Sequence, residues 1–146
     1  KEKIMVLVYK RPSKKDLPET IKLLFKFRDD YSKLFPTPDV DKVTATVQHH
    51  YEKGFIHNVY KDNKLIGSIG AAPSEWWFSP EQFISETWFY VLPEERSYAI
   101  AKKLLAELKQ YRAGSTVLLP ISTGFDRPAL YEKLKFNNMG TIWRYN

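Results

Sequence analysis

The chain has 146 residues, with 23 Lys and Arg against 17 Asp and Glu (a formal net charge of +6), and it contains no cysteine. This length is typical of one domain, and 43% hydrophobic and 15% aromatic residues are enough to build a packed core, which disfavours disorder. The lack of cysteine excludes disulfide frameworks, thiolate metal sites and cysteine nucleophiles. No apolar run approaches the ~20 residues of a membrane span and no signal peptide opens the chain, so we expect a cytoplasmic protein without membrane contact.

The positive charge has two interpretations. It is compatible with simple solubility, and it would also attract an anionic partner such as a nucleotide cofactor, a nucleic acid or an acidic protein. The basic residues do not form one block, and no nucleic-acid-binding motif occurs in the chain. Nucleic acid therefore stays open as a partner without being indicated by a motif.

Apolar periodicity divides the chain into elements in the order β-α-α-β-β-β-α-β-α-β. Strands are predicted where β-branched and aromatic residues run together, and helices where apolar residues recur three or four positions apart. Neither a repeat nor a linker interrupts this order, which predicts one mixed α and β domain over residues 1–146. In chain order the predicted elements are strand 4–9, helix 16–35, helix 39–53, strands 55–61, 64–72 and 83–92, helix 94–112, strand 117–121, helix 126–136 and strand 141–144.

Local signals indicate where several elements begin and end. Asp16 is the predicted cap of the first helix, whose first turn accommodates Pro18. Asp62 and Asn63 suit the positive φ of a tight turn, so they predict a hairpin between the strands that they separate. Pro73 is expected to end the second of these strands.

The stretch that most directly suggests chemistry is the end of strand 83–92 and the start of helix 94–112. Unpaired N–H groups and the helix dipole make a helix N-terminus an anion site, and a pyrophosphate is a natural occupant. Small side chains at positions 97, 99 and 101 would let a phosphate approach the backbone. Many helices begin in this way, so the pattern alone indicates an anion site without identifying its ligand.

At this segment the sequence resembles the GNAT superfamily of N-acetyltransferases. The family signature is Arg or Gln, two residues, Gly, one residue, then Gly or Ala, and Arg96, Ala99 and Ala101 occupy those positions. A second family block, similar to Leu-Tyr-Glu-Lys-Leu-Gly-Phe, is matched by residues 130–136. Residues 16–18 and 64–70 also look like the family, so the resemblance covers nearly the whole chain in the right order.

Three positions depart from the family pattern. Ala99 stands where Gly is usual, and we expect its methyl group to weaken rather than abolish cofactor binding. Lys135 replaces the common Gly before Phe136. Residues 122–124 offer hydroxyl groups where the family often has Asn, which bears on how the pantetheine arm is held.

The resemblance implies a single GNAT-like domain, with a central, mixed, mostly antiparallel sheet flanked by helices. It implies an acetyl-CoA-dependent N-acetyltransferase that moves an acetyl group directly to a primary amine of an unidentified acceptor, and a homodimer is common in such proteins. Backbone groups of the strand would hold the pantetheine and polarise the thioester carbonyl, and the helix start would cradle the pyrophosphate. The residues implied to bind the cofactor are Phe89, Tyr90, Val91, Arg96, Ser97, Tyr98, Ala99, Ile100 and Ala101.

The resemblance also implies two catalytic residues. Tyr131 matches the family tyrosine that protonates the departing thiolate, and the alternative is a core aromatic on a short helix. Glu86 matches the position that some members use as the base, and its aromatic neighbours would raise its pKa by desolvation. A carboxylate in a salt bridge is the alternative for Glu86, and other members use water chains. Glu75 and Glu81 are secondary candidates for the base.

No metal site is predicted. His49 and His50 are adjacent, so on a helix they point about 100° apart and do not form a ligand pair. His57 alternates along a strand with apolar residues, which favours packing. The aromatic residues at 76–78 and Trp88 suit an acceptor pocket, a partner surface or packing within the hairpin equally well.

A second class of function therefore stays open. It is a catalytically inactive GNAT-fold module that binds a protein or a nucleic acid. An enzyme would use acetyl-CoA in a Tyr131-dependent way, whereas binding to nucleic acid would weaken steeply as salt rises.

Overall fold

The computed structural model describes residues 5–27, 36–120 and 127–140, together with residues 143 and 145. Within these residues the strands form one five-stranded sheet in the order β1-β2-β3-β4-β5, in which only the β4–β5 pair is parallel. This architecture confirms the predicted mixed, mostly antiparallel sheet flanked by helices. The strands are β1 Leu7–Lys10, β2 Phe55–Lys61, β3 Lys64–Glu75, β4 Gln82–Val91 and β5 Val117–Leu118.

Helices cover both faces of the sheet. On one face, Asn58 of β2 donates from Nδ2 to Thr20 Oγ1 in the first helix at 3.0 Å. On the other face, the ring of Phe55 packs against Tyr111 of the third helix, with 4.8 Å between centroids. The described α-helices are α1 Leu17–Phe25, α2 Val40–Lys53, α3 Tyr98–Tyr111 and α4 Pro128–Lys133, and 3₁₀ turns occupy Lys14–Asp16 and Pro93–Glu95.

The core follows the apolar stripes of these helices. Leu104, Leu105 and Leu108 of α3 are all fully buried against the sheet, and the partly buried side chains of α4 pack onto the same cluster. A second cluster joins α1 and α2 to the opposite face of the sheet around Val47 and Trp88. The first cluster includes Val91 and Ile100, so it packs against the point where β4 meets the start of α3.

The start of α3 differs from the prediction. The helix begins at Tyr98 rather than at residue 94, because Arg96 adopts an extended backbone (φ −66°, ψ 129°) between the 3₁₀ turn and the helix. Ser97 is the N-cap, and its hydroxyl accepts a hydrogen bond from the Ile100 N–H at 3.2 Å. Glu95 lies in the separate turn and forms a 2.9 Å ion pair with Lys61 instead of facing the first turn of α3.

The structure also differs from the predictions made for Pro73 and for the Asp16 side chain. Pro73 does not end β3, which continues to Glu75; β2 accompanies β3 only as far as Ala71, and the edge beyond that point tolerates a proline. Asp16 is the N-cap residue of α1, as predicted, but its side chain makes no capping hydrogen bond, because its carboxylate accepts hydrogen bonds from the Ser13 backbone (3.2 Å) and hydroxyl (2.8 Å) instead.

The remaining boundaries shift by a few residues. Asp62 and Asn63 do adopt positive φ, at 50° and 68°, which confirms the predicted hairpin turn. Of the first predicted helix, residues 28–35 lie outside the described residues, as do residues 122–124 and all of strand 141–144 except residue 143. The other differences are at the ends of β1, α1, β5 and α4, whose observed bounds are those given above.

Candidate functional site

A cavity of about 210 Å³ opens beside the C-terminal end of β4. β5 pairs with β4 only at Ile84 and Ser85, while β4 continues to Val91 alongside β3. The cavity therefore lies beyond the point where the β4–β5 register ends. Its lining residues are Phe89 and Val91 of β4, Arg96, Ser97 and Ala101 around the start of α3, and Arg127 just before α4.

The start of α3 presents unsatisfied backbone donors at this site. The N–H of Ile100 is taken by the Ser97 hydroxyl, and the N–H of Ala101 by the Ser97 carbonyl at 3.1 Å. The N–H groups of Tyr98 and Ala99 have no acceptor among the described residues. The Ala99 side chain is exposed, so its methyl group does not crowd the protein interior. Two free donors at the positive end of a helix favour an anion.

Two arginines border the same cavity. Arg96 donates from Nε to the Val91 carbonyl at 2.8 Å, and its guanidinium lies 5.5 Å from the centre of the Tyr90 ring. These contacts fix Arg96 against the end of β4. Arg127 is the N-cap residue of α4, and its carbonyl accepts from the N–H of Tyr131 at 3.1 Å. The pair gives the cavity a positive border.

Sequence reasoning missed Arg127. The only signal for it is a basic residue one helical turn before the Tyr131 motif, and nothing in the spacing connects that residue with Arg96. The predicted cofactor residues that do not line the cavity divide into two pairs. The side chains of Tyr90 and Ile100 are buried, whereas those of Tyr98 and Ala99 are exposed on the first turn of α3.

Glu86 is buried in the middle of β4, with 3% of its surface exposed. In the β3–β4 register Gly70 pairs with Trp88, and the next residue of β3, Ala71, pairs with Glu86. β4 therefore has one extra residue at this point, Thr87, which forms a β-bulge. Paired residues share a face of the sheet, and this bulge therefore places Glu86 on the same face as Phe89, which pairs with Ile69. Phe89 lines the cavity, and Glu86 does not.

Tyr131 lies on α4, one turn after Arg127. Its side chain is partly buried against the core, and its ring meets that of Phe136 edge-on with 6.5 Å between centroids. It does not line the 210 Å³ cavity. The structure thus brings the strand and helix-start residues together around one cavity and places Tyr131 on the helix that begins at its border.

The secondary candidates lie elsewhere. Glu75 and Glu81 are exposed at the tip of the β3–β4 hairpin. In the aromatic stretch of that tip, Trp76 packs on Phe83 at 4.4 Å, while Trp77 is 94% exposed. The stretch therefore combines hairpin packing with an exposed ring.

His50 and His57 are held in the protein framework, whereas His49 is exposed. His50 is 5% exposed, and burial lowers its pKa below the ordinary histidine value. Desolvation likewise lowers the pKa of His57, which stacks on Phe55 with 5.9 Å between centroids. The described part of the chain contains no group of three His, Cys, Asp or Glu residues that could hold a metal ion.

A larger cavity, of about 440 Å³, lies between the start of α1 and the β2–β3 turn. Its lining includes both cations and carboxylates, among them Lys10, Lys15, Asp16 and Glu19. None of the residues predicted to bind the cofactor or to catalyse the reaction lines it. The smaller cavity beside β4 is therefore the candidate site.

A model of the acetyltransferase (GNAT) family matches residues 22–136. The chain belongs to this GNAT acetyltransferase family. That membership and the fold support an acyltransferase.

A search of curated protein sequences found no match. None of the described helices combines the length and apolarity needed to cross a membrane.

Solved structures similar to this chain include several acetyltransferases. Aminoglycoside N-acetyltransferase AAC(6')-Iy in complex with CoA is 16% identical, with a TM-score of 0.68 over 99% of this chain and 96% of that one. A predicted acetyltransferase from Clostridium acetobutylicum, solved with acetyl-CoA, is 16% identical, with a TM-score of 0.68 over 97% and 96% of the two chains. An integron cassette protein from the mobile metagenome of Cole Harbour Salt Marsh is 15% identical, with a TM-score of 0.73 over 94% and 88%. At such identities the likeness establishes the fold.

Proposed function

We propose that this protein is a single-domain, acetyl-CoA-dependent N-acetyltransferase that moves an acetyl group directly to a primary amine. The observation that carries the proposal is the cavity beside β4, where a strand end, a helix N-terminus and two arginines converge. An anionic ligand with an extended arm fits this combination, because the charged end meets the helix and the arginines while the arm follows β4.

The residues present fit the cofactor. The donors on Tyr98 and Ala99, together with the guanidinium groups of Arg96 and Arg127, would hold the pyrophosphate. Phe89 and Val91 would contact the pantetheine arm. Acetyl-CoA would supply the activated thioester, and the protein would supply orientation and proton transfer.

We assign the proton transfers of the reaction to two side chains, Glu86 and Tyr131. An alkylammonium group with a pKa of ~10.4 must lose a proton before its nitrogen can attack, and we assign this proton to the Glu86 carboxylate. The leaving thiolate, whose acid has a pKa of ~8.5, takes its proton from the Tyr131 phenol, and the second proton that the nitrogen loses as the amide forms restores that phenol. A phenol with a reference pKa of ~10 donates a proton to such a thiolate only when the two groups are close together. α4 must therefore hold the Tyr131 hydroxyl close to the thioester sulfur.

The charge along the β3–β4 hairpin supports a cationic acceptor. From residue 64 to residue 91 the hairpin contains three glutamates and one basic residue, Lys64, in a chain whose net charge is +6. Two of these glutamates, Glu75 and Glu81, are exposed at the hairpin tip, and Glu86 lies further along β4. An acceptor carrying ammonium groups would be attracted to this hairpin. A structural neighbour of this chain acts on aminoglycosides, which are one class of such acceptor.

Binding of acetyl-CoA tests the first half of the proposal. A concentration one hundred times the Kd adds ~2.7 kcal/mol of stability, which corresponds to a rise in Tm of roughly 5–10 °C for a domain of this size. Ala101→Glu places a carboxylate in the cavity and should abolish the shift. Ala106→Glu puts the same substitution on an exposed position of the same helix and should leave the shift intact.

Turnover tests the second half. With a panel of amines that includes an aminoglycoside, Tyr131→Phe and Glu86→Gln should each lower kcat at least tenfold while the Kd for acetyl-CoA stays within about twofold. The absence of any Tm shift at millimolar acetyl-CoA would refute the enzyme. It would favour the alternative, a GNAT-fold module that binds a protein or nucleic acid.

A further inference from the structure

His50 connects α2 to the middle of β4 through both of its ring nitrogens. Nδ1 lies 2.8 Å from the carbonyl oxygen of Thr46, one turn earlier in α2, and Nε2 lies 2.6 Å from Thr87 Oγ1. A carbonyl oxygen can only accept, so Nδ1 carries the proton. In the neutral ring Nε2 is then an acceptor, and the Thr87 hydroxyl donates to it.

The surroundings favour the neutral ring. Desolvation lowers the pKa of His50, and the nearby His49 lowers it further, whereas the hydrogen bond to Thr46 acts in the opposite direction. The imidazole also packs against the Trp88 indole, with 4.9 Å between ring centroids. An uncharged, fixed imidazole at this position is a defined hydrogen-bond acceptor.

Thr87 is the extra residue of the β4 bulge. Gly70 pairs with Trp88 and Ala71 with Glu86, so Thr87 has no opposite residue in the β3 register. Without the extra residue, Glu86 would share a face with Trp88, on the side of α1 and α2. With it, Glu86 lies on the face of Phe89 and the candidate cavity.

The residues beside the bulge hold the strand in place. Trp88 donates from Nε1 to Ser68 Oγ on β3 at 2.9 Å. Its indole lies across Gly70, where a Cβ atom would overlap the ring. These contacts fix the strand after the bulge, and the His50 contact fixes the bulged residue itself.

We propose that His50 is a positioning residue: its Nδ1–H tautomer holds the Thr87 hydroxyl, and so maintains the bulge that turns Glu86 toward the cavity face. This inference rests on the proposed function, in which Glu86 accepts the proton of the acceptor amine. His50 itself does not line the cavity.

Kinetics of matched variants test the connection to Glu86. Thr87→Val removes the hydroxyl at nearly constant shape, and Thr87→Ser keeps it. We expect Thr87→Val to lower kcat about tenfold with an unchanged Kd for acetyl-CoA, and Thr87→Ser to recover most of the loss. In a Glu86→Gln background, Thr87→Val should not lower kcat further, because Thr87 acts on kcat through the Glu86 carboxylate. Full additivity of the two losses would overturn the proposal.

Nitrogen-15 NMR of the histidine rings tests the same contact without any turnover. The wild-type His50 should show a protonated Nδ1 and an unprotonated Nε2, and Thr87→Val should shift the Nε2 resonance. A ring protonated at Nε2 alone overturns the proposal even if the enzyme is active. Conversely, a wild-type protein that transfers no acetyl group while showing the expected tautomer refutes the proposed function and leaves the His50–Thr87 contact established. The two failures are therefore distinguishable, and the wild-type spectrum decides the case even if Thr87→Val does not fold.

Discussion

Replacing Lys135 with glycine should stabilise the protein without changing its site. Lys135 follows α4 with a φ of 70°, in the left-handed region that crowds an L side chain. Its N–H bonds the Glu132 carbonyl at 3.0 Å, and the N–H of Phe136 bonds the Tyr131 carbonyl at 2.9 Å. These two bonds and the contact between the rings of Phe136 and Tyr131 form a Schellman motif, whose left-handed position glycine usually occupies. The family preference for Gly here thus has a conformational cause.

The expected gain follows from two opposing effects. The left-handed conformation costs an L residue ~1–2 kcal/mol, and glycine avoids this cost. The greater freedom of glycine in the unfolded chain lowers the free energy of unfolding by ~0.5–1 kcal/mol and so offsets part of the gain. The net stabilisation is about 0.5–1 kcal/mol, or a rise in Tm of about 1–4 °C. Both backbone hydrogen bonds survive because glycine keeps its N–H.

Urea unfolding of Lys135→Gly and Lys135→Ala measures this effect. Alanine removes the same exposed side chain but retains Cβ, so it should give none of the gain. If alanine stabilises the protein as much as glycine does, the loss of the lysine charge is responsible and the argument from φ is wrong. The kcat and Kd for acetyl-CoA should match the wild type in both variants, because the backbone that anchors Tyr131 is preserved.

Three further predictions concern stability. Ser97→Ala removes the N-cap of α3 and should cost about 1 kcal/mol in urea unfolding, whereas Ser97→Asp, which can still cap, should cost less than half as much. Gly70→Ala forces a methyl group against the Trp88 indole and should cost ~1–3 kcal/mol with a changed near-ultraviolet circular dichroism, and a neutral effect would contradict the packing described. Burial lowers the folded-state pKa of both His50 and His57 below the ordinary histidine value of ~6.5. The unfolded chain therefore binds more protons than the folded chain once the pH falls below about that value. The free energy of unfolding should therefore decrease between pH 7 and pH 5, by at most ~1.4 kcal/mol per pH unit for each histidine, and urea titrations that give the same value at both pH values would refute this.

Several features of the fold could be predicted because they depend on neighbouring residues. The hairpin at Asp62 and Asn63 follows from the local preference of these residues for positive φ. The apolar stripe of α3 is a property of its own sequence. The predicted start of that helix was wrong because the extended conformation of Arg96, not the charge of the preceding glutamates, determines where the helix begins.

The candidate site was predictable only in part. Its strand end and helix start are consecutive in the chain, so one motif identified both. Arg127 lies far along the chain from Arg96, and its role at the cavity border depends on how α4 packs against the core. Periodicity and spacing contain no information about that packing.

The sequence by itself determined the family, the order of strands and helices, and the segment that surrounds the cavity, because each of these depends on contiguous motifs and local periodicity. Only the tertiary structure decided which face of the sheet Glu86 occupies, because one extra residue in the β4 register reverses the alternation that the sequence suggests. It also decided that His50, 37 residues before Thr87, reaches the bulge. Contacts of this kind arise when separate segments pack together, and strand register and helix docking are set by the whole core rather than by any one stretch of the chain.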